Sequence, residues 1–210
     1  MRRPLVRVLA LAAAVAGGIG LAATPALASQ SAPADTLITV AYPVSGSTYI
    51  KAINTTVSLG SGTLTSTADL NTSATSSTLS LPAATASFQE LGFIPVTATT
   101  ELVQDGAATG TVNFTTNAVQ TTSATTLKLT GLKVAGIPIP VGSSCQTKTP
   151  ATITVSSQPG FSILSGGVLS GTYTIPPFAH CGLATFLINL TLPGSGNTIS
   201  LTVGAGTIQS

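Results

Sequence analysis

The chain of 210 residues has no tryptophan, a single histidine and two cysteines, and charged side chains make up only 6% of it. Each shortage closes off a class of function. Sugar-binding modules stack ligands on planar rings, whereas Tyr42, Tyr49 and Tyr173 are dispersed, and isolated tyrosines ordinarily pack in a core or along a strand edge. One imidazole, His180, and two thiols make at most three ligands, one short of a structural zinc site. No loop is rich enough in aspartate for calcium, and no glycine loop opens a helix for a nucleotide. No cofactor is expected.

Catalytic parts are equally scarce. Ser144 follows Gly142 by two residues but is trailed by Gln146, and Ser195 in Pro193-Gly194-Ser195-Gly196-Asn197 lacks the outer glycines of a nucleophile elbow. A serine triad would have to use His180, and nothing around it marks a partner. Glycoside hydrolysis needs two facing carboxyl groups. Only Glu90, Glu101 and Asp105 offer them in mid-chain, and Asp105-Gly106 reads as a turn for purely local reasons. The expectation is a protein that is not an enzyme. The exception to test is a hydrolase using His180, which unchanged hydrolysis in His180→Ala would dispose of.

What is present begins with the N-terminus. Arg2, Arg3 and Arg7 precede an uncharged apolar stretch from Val8 to Ala23, and Pro25-Ala26-Leu27-Ala28 follows. These are the basic region, apolar region and small-residue cleavage site of a secretory signal peptide. The apolar stretch falls short of the roughly 20 residues that span a bilayer and contains Gly17-Gly18, which argues against an anchor. Cleavage is expected after Ala28, leaving Ser29 as the new terminus, so residues 1–28 are the signal peptide and 29–210 one domain. No integral membrane segment is expected after cleavage.

Removing the signal peptide changes the electrostatics, because every arginine leaves with it. Lys51, Lys128, Lys133 and Lys148 remain against Asp35, Asp69, Glu90, Glu101 and Asp105, four against five, for a net charge of −1. Four scattered lysines make no basic patch, which excludes nucleic acid and polybasic docking to an anionic membrane. Secretion, either into the medium or onto the cell wall, is the expected location. Cell-wall or surface components are the expected partners.

About one mature residue in five is threonine. Thr, Val and Ile pack well on a pleated surface, while the scarcity of Glu, Lys and Arg removes the usual formers of solvated helix faces. Two-residue alternation appears in residues 37–42, 63–68, 77–81 and 111–115, and similar runs cover 96–103, 124–134, 152–156, 169–175, 186–192 and 198–203. Turn signals stand between them at Gly60-Ser61-Gly62, Asp105-Gly106, Pro159-Gly160, Gly166-Gly167 and 193–197. The pattern predicts an all-β domain, an antiparallel β-sandwich with a β-barrel as the alternative.

In an oxidising compartment Cys145 and Cys181 are expected to form a disulfide. Closing a loop of roughly 37 residues stabilises a fold by about 3–4 kcal/mol in the chain-entropy model. Two segments lead to these cysteines: Leu132 to Gly142, which contains Ile137-Pro138-Ile139-Pro140, and Gly171 to Gly182, which contains Ile175-Pro176-Pro177-Phe178. Proline cannot donate to a ladder, so each segment leaves the sheet as an edge or loop, and the bridge ties the two exits together. Four Asn-x-Ser/Thr sequons, at Asn54, Asn71, Asn113 and Asn189, matter only in a host that glycosylates exported proteins.

The stretch Leu129 to Gly142, with Thr172 to Phe178 and Pro193 to Thr198, resembles a group of uncharacterised secreted proteins of actinobacteria. The resemblance implies export from such a bacterium and assigns no site residues. The leading functional expectation is therefore a secreted or cell-wall-associated protein acting by surface contact, with Phe178 and the prolines as one candidate patch. The alternative is an extracellular module for an apolar or carbohydrate ligand.

Overall fold

The computed structural model describes residues 36–209. The signal peptide and the cleavage site between Ala28 and Ser29 lie outside the described residues. Within them the chain is almost entirely strand: β1 (Leu37–Ile50), β2 (Thr55–Asp69), β3 (Ala74–Ser80), β4 (Ala84–Glu90), β5 (Ile94–Gln104), β6 (Ala108–Asn113), β7 (Ala118–Val134), β8 (Ile137–Pro138), β9 (Gln146–Thr147), β10 (Ala151–Ser157), β11 (Gly167–Ile175), β12 (Phe178–Ala179), β13 (Gly194–Val203) and β14 (Thr207–Gln209). One short helix, α1 (Ala184–Thr191), lies between β12 and β13.

The expected sandwich gives way to a barrel. Strands β10, β11, β13, β1, β2, β3, β6 and β7 pair antiparallel in that order, and β7 pairs back onto β10, from Ala151↔Thr125 to Ser156↔Gln120. One sheet therefore closes on itself instead of facing a second. Glycine in mid-strand permits the tight coiling that closure demands. A Cβ at Gly110 on β6 would collide with the Gln120 carbonyl of β7, and one at Gly171 on β11 with the Thr154 carbonyl of β10.

Taken in chain order, the eight barrel strands simply go up and down, each beside the next. Every hairpin of the series at one end is a direct connection, at residues 70–73, 114–117 and 158–166. All three long excursions leave from the other end: β4 and β5 between β3 and β6, β8 and β9 between β7 and β10, and β12 with α1 between β11 and β13. The barrel thus has an end built of short turns and an end covered by insertions. The covered end holds a dense core that includes Val57, Leu59, Leu129, Phe178, Ile188 and both cysteines.

Cys145 and Cys181 form the expected disulfide, with Cα atoms 4.3 Å apart. It joins the second insertion to the third. The two proline-rich exits also pair as short ladders, β8 against the end of β7 and β12 against β9.

Three local expectations are corrected. Residues 194–197, read with Pro193 as a turn, are the start of β13, where Gly194 and Asn197 pair with Ile175 and Tyr173. Gly60-Ser61-Gly62 is not a turn but lies inside β2, where the register slips between Gly46↔Gly60 and Ser47↔Ser58. Gly60 takes φ +71 there, so the glycine supplies a bulge that bends a long hairpin. The run 186–192, read as a strand, is α1. Short apolar runs carry no period that separates the two states, and here the Cys181-Gly182 turn before the run and Pro193 after it favour one helical unit.

Candidate functional site

Along the barrel strands, alternate side chains point inward, and the sequence places small ones there. Inward positions carry Ser66 and Ala68 on β2, Thr75 and Ser77 on β3, Ala108 and Val112 on β6, and Thr121 and Ser123 on β7. An eight-stranded barrel is just wide enough for side chains to fill it. Without tryptophan, and with so few large side chains on these strands, the interior is left underfilled: a cavity of about 420 Å³ runs along the lumen. Its volume is nearly three times that of the 150 Å³ apolar void that holds one benzene.

The walls differ in chemistry. Strands β1, β10, β11 and β13 present aliphatic groups, among them Val40, Ile153, Val155, Leu169, Ile199 and Leu201. Strands β2, β3 and β7 present hydroxyls. Ser77 Oγ donates to Ser66 Oγ at 2.9 Å, and Ser123 Oγ lies 3.0 Å from Thr125 Oγ1. No Lys, Asp, Glu or His lines the cavity. Gln104 closes a seam in the wall: its amide accepts from Leu79 N at 2.8 Å and donates to Ser77 O at 2.9 Å, continuing the β3 ladder beyond the point where β6 stops.

The cavity opens among the short turns. Leu70, Phe114, Leu164 and Ile208 all line it and are 39–62% exposed, so they form an apolar rim. The 158–166 connection contributes Phe161, Ile163 and Leu164 to the lining. It is tethered by Tyr42 Oη, which donates to Ile163 O at 2.9 Å, and by Gly206 N, which donates to Leu164 O at 2.8 Å. Burial pushes the Tyr42 phenol above the ordinary tyrosine range. Asp69 holds the neighbouring turn: its carboxylate accepts from Thr72 Oγ1 at 2.7 Å and Asn71 N at 2.8 Å, and these bonds lower its pKa.

Of the residues singled out in the sequence, Tyr42 lines the lumen and the others lie elsewhere. His180 is exposed in the left-handed region at φ +60, beside the disulfide. Glu90 ends β4; Glu101 stands opposite Lys128 across β5 and β7; Asp105 accepts from Thr126 Oγ1 at 2.6 Å in its turn. Tyr173 is buried with its hydroxyl 2.7 Å from Thr48 Oγ1, and Tyr49 donates to Asn54 Oδ1 at 2.8 Å. Phe178 is buried, so it forms no surface patch. The sequon at Asn189 is engaged internally: its Oδ1 accepts from Phe178 N at 2.6 Å and its Nδ2 donates to Phe178 O at 2.9 Å.

A second surface feature stands next to that bond. Ala184 and Ile188 of α1 are buried, while Leu183, Phe186, Leu187 and Leu190, at helical spacing, are exposed. Both this stripe and the lumen escaped the sequence reading. The signal for the lumen was the small size of the inward-facing residues, which becomes visible only once the strands are known to close.

No family model matches the chain, and no curated protein and no solved structure is similar to it. Among the described residues no group of three or more His, Cys, Asp and Glu is placed to hold a metal ion, and no helix is long and apolar enough to cross a membrane.

Proposed function

We propose that this is a secreted, non-enzymatic binding protein that holds an apolar small molecule in the lumen of its barrel. The observation that carries the reading is the underfilled, largely apolar lumen of about 420 Å³, which opens through an apolar rim. That size falls within the 300–1,000 Å³ of small-molecule sites. Export is supported by the disulfide and by the N-terminal pattern. The resemblance to secreted actinobacterial proteins accords with it. Binding rather than catalysis accords with a lumen lined by no carboxylate, imidazole or amine.

The test uses the mature protein and the uncharged fluorophore N-phenylnaphthylamine. Saturable fluorescence enhancement with a stoichiometry near one, abolished by unfolding, is the expected result. A mass spectrum of organic extract from natively purified protein should then show an apolar species. No enhancement together with an empty extract would overturn the reading.

The exposed stripe on α1 favours a second reading, contact with a partner at the cell surface. If the protein is retained on the wall through this face, Phe186→Ser with Leu190→Ser should move it into the medium without changing fluorophore binding. Unchanged fractionation would remove this reading.

A further inference from the structure

On the lumen face Ser66 pairs with Ser77 and Ser123 with Thr125, while Tyr42, Gln104 and Asn117 bond to backbone, but two buried hydroxyls do neither. Among the described residues, Thr75 Oγ1 and Thr121 Oγ1 are buried without a hydrogen-bond partner. Both residues line the cavity, and Thr75 is more than nine-tenths buried. Their placement follows from the register. Thr75 on β3 stands opposite Gly110 on β6, and Gly110 in turn stands opposite Thr121 on β7. Directly paired residues share a face, so the two side chains stand in one row on the lumen face, their hydroxyl oxygens tucked beneath its surface. They are separated by a single strand, or roughly 10 Å at the usual spacing. Between them the row holds Gly110, and the Thr121 hydroxyl packs over it, 2.6 Å from where a Cβ would stand.

A buried hydroxyl without a partner costs free energy, and native structures leave few of them. Two in one row, both on residues that line a cavity, are matched to groups that arrive with a ligand once the side chains turn toward it. A hydroxyl both donates and accepts, so it suits a ligand alcohol or ketone. The lumen has no cation to compensate a carboxylate and no anion to compensate an amine, which makes a charged head costly there.

On the reading that the lumen binds an apolar molecule, we propose that the ligand is an uncharged oxygenated hydrocarbon. Its oxygen function is held against Thr75 and Thr121, and its apolar body lies along the aliphatic wall of β1, β10, β11 and β13. From the benzene comparison, the space admits a ligand of roughly 17 heavy atoms.

The test is displacement of N-phenylnaphthylamine by dodecane, dodecanol, a dodecanone and dodecanoate at neutral pH. It is run on the wild-type protein, on Thr75→Val with Thr121→Val, and on Thr75→Ser with Thr121→Ser. Valine removes the hydroxyl at nearly constant volume; serine keeps it. In the valine double variant, dodecanol and dodecanone should lose about tenfold in affinity, while dodecane is unchanged or tighter. The serine variant should restore most of the loss, and dodecanoate should compete poorly throughout.

An equal change for dodecane and the oxygenated ligands would overturn the inference, and so would dodecanoate competing as well as dodecanol. In either case, fluorophore displaced by dodecane would leave the lumen reading intact. If the fluorophore never binds the wild type, both fall. Should the valine variant fail to fold, the Thr121→Val single variant carries the same comparison.

Discussion

Asn197 is 1% exposed and uses both ends of its amide on backbone. Its Oδ1 accepts from Lys51 N at 3.0 Å, and its Nδ2 donates to Gly194 O at 2.8 Å and Tyr173 O at 3.3 Å. One side chain thereby joins the start of β13 to the turn between β1 and β2 and to β11. Asn197→Ala leaves these backbone groups unsatisfied in a buried place and should cost about 2–4 kcal/mol, read from urea unfolding. Asp69 is a different case, because its bonds are exposed and depend on ionisation. The folded pKa is depressed, so its contribution is present above the ordinary aspartate value of about 4 and is lost as pH falls through the lower folded value. In an NMR titration the Asp69 carboxyl should show a midpoint below that of a free aspartate. The amides of Asn71 and Thr72 should shift with it. A midpoint at or above the ordinary value would count against the turn geometry.

At the scale of elements, one polar residue fastens the C-terminal half of α1. Asn189 reproduces a two-bond ladder with Phe178, so an amide side chain does what a neighbouring strand would do. Asn189→Ala should raise amide exchange across the C-terminal half of 184–191 by at least tenfold while leaving the barrel strands protected, because the helix is short and is otherwise held by the burial of Ala184 and Ile188 and, at its N-terminus, by the bond from Cys181 N to Thr185 Oγ1. The contrast between α1 and the strands also shows what sequence carries. Strands such as 152–156 and 198–203 are legible because their alternation has a water-facing side: Thr and Ser face out and aliphatics face in. Outward threonines even pair across strands, Thr39 with Thr67 and Thr122 with Thr154, at 2.9 Å each. The run 186–192 has no such side. It is buried on Ala184 and Ile188 and exposed on Phe186 and Leu190, apolar on both, so no period could be read. Gly60-Ser61-Gly62 misleads for a related reason: glycine marks a positive φ, and a bulge and a turn both use one.

For the whole molecule, closure of the sheet decides everything and was the least legible step. The pairing of β7 with β10 joins residues that local pattern does not relate, and a sandwich would use the same strands. The orientation of the alternation is nevertheless informative once closure is known. A barrel embedded in lipid is apolar outside and polar within, whereas this one carries Thr65, Thr78, Thr109 and Thr152 on its exposed face and valine, leucine and isoleucine inside. Its apolar solvent-like region is the lumen. The three insertions and the disulfide consolidate the opposite end, so the mouth is free of the elements that give the domain its dense core.

An underfilled interior is costly, since close packing is worth more than void, and this gives a test that separates use from imperfection. Ala68→Leu and Ala108→Leu each add three carbons at positions that line the cavity. Where the added groups fit the existing space without strain, each buried methylene contributes up to about 0.8 kcal/mol, or about 2 kcal/mol per substitution. The double variant should therefore unfold at a higher denaturant concentration than the wild type and at the same time lose N-phenylnaphthylamine binding at least tenfold. Gain of stability with loss of binding is the signature of a cavity kept open for a ligand. Higher stability with binding retained would place the fluorophore outside the lumen, and lower stability with binding retained would mean that the wall, not the space, sets the packing.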